Sequence, residues 1–148
     1  MKAIIWAVVL SFIAMPAAAH DLWIERTPEG LEVRYGHARS PHEGAKIIPY
    51  DGGFVRRVDC VDETGAPRES GWSGGAPARI AGGCACVYVL ASTGFWRKTT
   101  EGTRNASKKD VPSALRSWQS VERVKFVARW SDALARPFTR ELEITPLE

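Results

Sequence analysis

Apolar residues in this chain come in short runs, and clusters of Gly and Pro interrupt them every few residues. Runs of four to eight residues are the length of strands and too short for core helices, so this punctuation points to an all-β domain. Candidate strands cover residues 22–25, 31–36, 54–61, 84–91, 121–130 and 142–147. Residues 123–130 also tolerate a helical reading, which the spacing decides against. Val124, Phe126, Ala128 and Trp130 recur every second residue with Arg123, Lys125 and Arg129 between them, and Val127 alone breaks the alternation. Period two is the signature of a half-buried strand. Asp110-Val111-Pro112 ahead of Ser113-Ala114-Leu115-Arg116 suggests one short helix, with Asp110 as its cap and Pro112 in its first turn. The polar stretch 99–110 before it reads as an excursion at one end of the domain. The expected architecture is an immunoglobulin-like β-sandwich with at most one short helix, a small barrel being the alternative.

Residues 1–19 stand apart from this domain. Lys2 precedes the run Ile4-Ile5-Trp6-Ala7-Val8-Val9-Leu10, and Pro16-Ala17-Ala18-Ala19 closes it with an Ala-x-Ala pattern. That order is the order of a secretory signal peptide cleaved between Ala19 and His20. Residues 20–148 then form a single β-sandwich domain, periplasmic or secreted, with no transmembrane segment in the mature chain. Without Lys2 the mature chain holds 19 basic against 17 acidic side chains. So small a surplus gives little reason to expect a nucleic-acid partner, and the sequence lacks aromatic interleaving of the kind that single-stranded nucleic-acid binders use. The surplus is concentrated: residues 97–129 hold 9 basic and 3 acidic side chains. This basic third reads as a solvated loop followed by the outer face of a strand, a docking face for an anionic partner being the alternative.

Three cysteines, Cys60, Cys84 and Cys86, accompany a chain addressed to an oxidising compartment. On one strand Cys84 and Cys86 would share a face and could meet Cys60 on a neighbouring strand. The expectation is a disulfide from Cys60 to Cys84 or Cys86 and one remaining thiol. A thiolate metal site at Cys84-Ala85-Cys86 is the weaker reading, since structural zinc takes four ligands.

All three histidines, His20, His37 and His42, fall within the first 23 residues after the cleavage point. Cleavage would make His20 the N-terminal residue, whose amine is only partly protonated near neutral pH. Amine and imidazole Nδ1 together can form a bidentate chelate, and His37 and His42 are close enough in sequence to join it. Imidazole suits nickel, copper and zinc alike. No nucleophile elbow, His-Glu-x-x-His pair, phosphate loop or dinucleotide fingerprint is present, so no catalytic residue is assigned.

His20-Asp21-Leu22-Trp23-Ile24-Glu25 directly after the leader resembles the opening of the periplasmic nickel/cobalt-uptake accessory proteins, the nickel-uptake substrate-specific family. The resemblance continues at Tyr35-Gly36-His37, at Lys98-Thr99-Thr100-Glu101-Gly102 with Asn105 and Lys108, at Ser117-Trp118-Gln119-Ser120 with Val124-Lys125-Phe126, and at Leu142-Glu143-Ile144-Thr145-Pro146-Leu147. It implies a secreted β-sandwich that binds a divalent transition metal ion, nickel or cobalt, and assists a membrane metal transporter. His20 and His37 match family histidines, and His42 is added from its proximity. Members usually continue into a second β-domain, whereas this sequence stops at Glu148. Two other functions fit the same residues: a metal-free interaction module, and a copper enzyme with an N-terminal histidine brace.

Overall fold

In the computed structural model of the protein, residues 20–38, 46–107 and 109–137 are described. The expected leader at 1–19, His42 and the candidate strand at 142–147 lie outside these residues. Two antiparallel sheets face each other. In the first, β1 (Asp21–Thr27) and β2 (Gly30–His37) form a hairpin, and the far side of β2 is shared by β3 (Lys46–Ile47) and β6 (Ala78–Ile80). The second is organised on β7 (Cys86–Thr99), with β9 (Arg116–Val127) along one side. Its other side takes β4 (Val55–Val61) and then β8 (Gly102–Asn105), and β5 (Pro67–Arg68) extends β4 outward. A chain running β1-β2 in one sheet, β4 in the other, β6 back beside β2 and β7-β9 beside β4 has the order of an immunoglobulin-like sandwich.

Alternation along each strand builds the core. Leu31, Val33 and Tyr35 of β2 face Val87, Val89 and Ala91 of β7 in one cluster with Ile24, Phe54, Cys60 and Ile80. Val124 and Phe126 of β9 close this cluster, as their period-two spacing predicts. The strand ends at Val127, short of the expected Trp130. The amides of Ala128 and Arg129 both donate to the Ala85 carbonyl, which turns the chain away and leaves Trp130 half exposed. Beyond it the only helical element among the described residues is a 3₁₀ turn, Asp132–Ala135, whose Leu134 covers Val61, Ala85 and Cys86 on the outer face of the second sheet.

The helix expected after Asp110 is instead a pair of turns. Ser107 and Asp110 bond to each other, Ala114 donates to Val111, and Leu115 already donates to Lys98 as β9 begins. The excursion expected at 99–110 is in its first half a β-hairpin: β7 continues to Thr99 and β8 returns along it. A bulge between Ala91 and Gly94 marks where β7 leaves the sandwich. Past it, β8, β7 and the first half of β9 make a three-stranded arm carrying Lys98, Arg104 and Arg116, together with exposed Phe95 and Trp118.

The disulfide joins Cys60 to Cys84 across 5.5 Å between Cα atoms. Cys84 precedes β7 rather than lying in it, so the expected common face of Cys84 and Cys86 is not formed. Cys84 belongs to the cluster between the sheets and Cys86 to the outer cluster, where it keeps its thiol. No helix among the described residues is long and apolar enough to cross a membrane.

Candidate metal centre

The β1–β2 hairpin decides which histidines meet. Its register runs from Thr27 opposite Gly30 to Asp21 opposite Gly36, so one step further His20 comes opposite His37. Tyr35 lies two residues before His37 and therefore on the same, core-facing side of β2. The rings of His20 and His37 stand 5.0 Å apart between centroids, at 68°. Two imidazoles on one ion, each with a metal–nitrogen distance of about 2.0–2.1 Å, would have centroids about 4.5–5.2 Å apart for angles between a right angle and the tetrahedral value. The observed spacing falls in that interval.

Local structure holds the pair in place. The Asp21 carboxylate accepts from the Ala38 amide at 3.0 Å, tying the chain after His37 back to β1. Gly36 lets β3 lie directly on β2: a Cβ there would stand 2.1 Å from the Lys46 carbonyl oxygen, and its φ of +141° suits no L side chain. Below the histidines an aromatic row runs inward. His20 meets Tyr35 edge-on at 5.2 Å, Tyr35 packs on Phe54 at 4.8 Å, and Phe54 on Tyr50 at 4.7 Å. Tyr50 anchors the row by donating its hydroxyl to the Val33 carbonyl at 2.6 Å and accepting from the Ala78 amide at 2.7 Å. A cleft of about 270 Å³ opens beside this row, lined by Tyr35, Tyr50, Phe54, Trp96, Asp51 and Arg56.

The polar end of Tyr35 lies between the two sheets. Its hydroxyl lies 3.1 Å from His20 Nδ1, and Glu122, a β9 residue paired with Ala91, is near enough to act on it electrostatically. Burial pushes the Tyr35 phenol above its ordinary pKa, and the neighbouring Glu122 adds to the rise. Burial also raises the Glu122 carboxyl, while the neighbouring Tyr35 and the His20 ring act the other way.

The structure thus brings two of the three sequence-predicted ligands together, His20 and His37; His42 lies outside the described residues. Among the described residues no group of three or more His, Cys, Asp or Glu side chains is placed to hold a metal. A chelate of the His20 amine and Nδ1 would require the Nδ1 lone pair, and Nδ1 is engaged by Tyr35. Sequence reasoning missed Tyr35 and Glu122. The first had a signal, its i, i+2 relation to His37; the second lies in a distant strand and had none. Comparison of the chain with protein-family models, with curated proteins and with solved structures finds no match.

Proposed function

We propose that the chain is an exported metal-binding protein that holds a divalent transition metal ion between His20 and His37 and assists nickel or cobalt uptake by handing the ion to a membrane transporter. The observation that carries this reading is the cross-strand histidine pair at a spacing suited to one ion. Nickel and cobalt are favoured by the family resemblance of the opening segment. Export is supported by the leader pattern and by the disulfide, a bond at home in an oxidising compartment. A site that hands its ion on keeps coordination positions open to exchange, unlike a structural site closed by four protein ligands. Binding requires neutral imidazoles, so affinity falls as pH drops and protons compete for the same lone pairs.

The test is calorimetric titration of the secreted protein with nickel and cobalt, after mass spectrometry has established its N-terminus. One ion per chain is expected, with His20→Ala and His37→Ala each weakening binding at least tenfold, about 1.4 kcal/mol. A chain that takes up no ion, or variants that bind as tightly as the parent, would refute the metal reading. The metal-free interaction module would then be the better account.

A further inference from the structure

We propose that the arm made by β8, the end of β7 and the start of β9 adsorbs to an anionic lipid surface. Lys98, Arg104, Lys109 and Arg116 meet the lipid phosphates, and Phe95, Leu115 and Trp118 enter the headgroup layer.

The near-neutral total charge hides a strong asymmetry. Residues 97–116 hold 6 basic and 2 acidic side chains, against 13 basic and 15 acidic in the rest of residues 20–148. The whole positive surplus sits on the arm and on the loop that joins β8 to β9. Arg97 is buried, but Lys98, Arg104, Lys109 and Arg116 are exposed. Of the two acids, Glu101 holds Arg104 at 2.7 Å in a contact open to water, and Asp110 is turned onto the Ser107 hydroxyl and amide. An exposed ion pair of that kind is screened and exchanges readily for another partner. Large apolar side chains stand among the cations: Leu115 is 69 % exposed, Phe95 50 % and Trp118 38 %. Basic residues interspersed with Trp, Phe and Leu suit the interface of an anionic bilayer, where apolar burial and charge attraction add.

Strand pairing favours a bilayer over an acidic protein. Directly opposed residues of neighbouring strands share a face. Trp118 lies opposite Trp96 and Arg116 opposite Lys98, so these four share one face, where the Arg116 guanidinium stands 5.8 Å over the Trp118 ring. Phe95, opposite Gln119, and Arg104, opposite Arg97, point to the other face. Each face carries an exposed aromatic ring and an exposed cation. A folded acidic partner covers one face of such a ribbon, whereas a headgroup layer reaches both sides of an arm that dips into it. All four residues of β8 and the first four of β9 are exposed, which leaves both sides open to approach.

The base of the arm and the histidine row share one cleft, lined by Trp96 and Asn105 together with Tyr35. An adsorbed arm keeps the His20–His37 pair at the bilayer, where a membrane transporter takes up the ion. That consequence alone rests on the metal reading; adsorption does not.

Co-sedimentation of the exported protein with vesicles, in the presence of a chelator, tests adsorption without metal. Phosphatidylcholine vesicles with about 30 % phosphatidylglycerol should take up the protein, and phosphatidylcholine alone should not. Raising sodium chloride from about 50 to about 500 mM should weaken binding at least tenfold. Both measurements use the parent chain, so neither depends on a variant that folds. Arg104→Gln/Arg116→Gln should lose about tenfold or more in affinity, while Arg68→Gln, outside the arm, should stay within about twofold. Brominated lipid should quench the tryptophan fluorescence of the bound parent, and Trp118→Phe should lose the larger part of that quenching. No uptake by anionic vesicles, equal uptake by phosphatidylcholine alone, an equal loss in Arg68→Gln, or quenching unchanged in Trp118→Phe would overturn the proposal. Binding to polyglutamate without uptake by vesicles would overturn it in favour of an acidic protein. Vesicle binding by a chain that takes up no nickel or cobalt would uphold adsorption and refute the metal reading.

Discussion

Removing the Cys60–Cys84 bridge should cost this sandwich a large share of its stability. The bond spans 24 residues of sequence, a segment that contains β5, β6 and the Gly-rich turns between them. Closing a loop of that length removes about 11.6 cal/mol/K of chain entropy from the unfolded state, or about 3.5 kcal/mol at 25 °C. Cys60 and Cys84 are both buried in the cluster between the sheets, so replacing them with alanine also removes two packed sulfur atoms. The expected loss for the Cys60→Ala/Cys84→Ala double variant is therefore about 4–5 kcal/mol, against a total of about 5–15 kcal/mol for a typical domain. Urea unfolding of parent and variant measures it. The denaturant slope should rise in the variant, because an unfolded chain without the cross-link exposes more surface. Thiol titration of the denatured, oxidised parent should find one sulfhydryl, that of Cys86. Three sulfhydryls in exported protein, or a stability loss under about 1 kcal/mol, would refute the reasoning.

Gly36→Ala should destabilise by about 2–4 kcal/mol, since the new methyl meets the Lys46 carbonyl at 2.1 Å and backbone must move; thermal unfolding measures the loss, and nickel titration should show weaker binding as His37 shifts with β3. Glu32 is buried between the guanidinium groups of Arg34 and Arg79, so Glu32→Ala should cost about 2 kcal/mol in urea unfolding, less than a fully buried pair because Arg79 can turn to solvent. Asp62 accepts from the Thr64 hydroxyl and amide and from the Ala66 amide, which holds its carboxyl below the usual aspartate range. Its contribution is therefore present above the ordinary aspartate pKa and lost as pH falls through the lowered one. The Thr64 and Ala66 amide resonances should titrate in that acid range and cease to do so in Asp62→Asn.

What could be read from the sequence follows from what makes a pattern. Strands with one face in the core announce themselves: Leu31, Val33 and Tyr35, or Val124 and Phe126, alternate because every second side chain is buried. β8 announces nothing. All four of its residues, Gly102 to Asn105, are exposed, and it is a strand only because its backbone pairs with β7 beyond the sandwich. The same cause explains the missed continuation of β7 past Ala91, where no opposing sheet asks for alternation. At Asp110 the local capping pattern was sound, but Leu115 is drawn to the Lys98 carbonyl as β9 pairs with β7. A tertiary ladder of twelve residues outweighs one cap and one proline.

The candidate site divides along the same line, and the division bears on its chemistry. His20 and His37 belong to one hairpin, so a short-range register brings them together and their sequence proximity was a usable sign. Glu122 lies in the opposite sheet, about a hundred residues along the chain, placed by a pairing with Ala91 that no local pattern encodes. Sequence reasoning consequently supplied the ligand types and proposed the N-terminal amine as their companion, the nearest donor in covalent terms. The fold supplies a different neighbour, the Tyr35 phenol, whose hydroxyl lies 3.1 Å from Nδ1 of the ring. Tyr35 is itself held by Phe54, and Phe54 by Tyr50, both from outside the hairpin. Assembly of the sandwich therefore orients His20, and a hairpin of residues 20–38 alone should lack the ring orientation that the whole domain imposes.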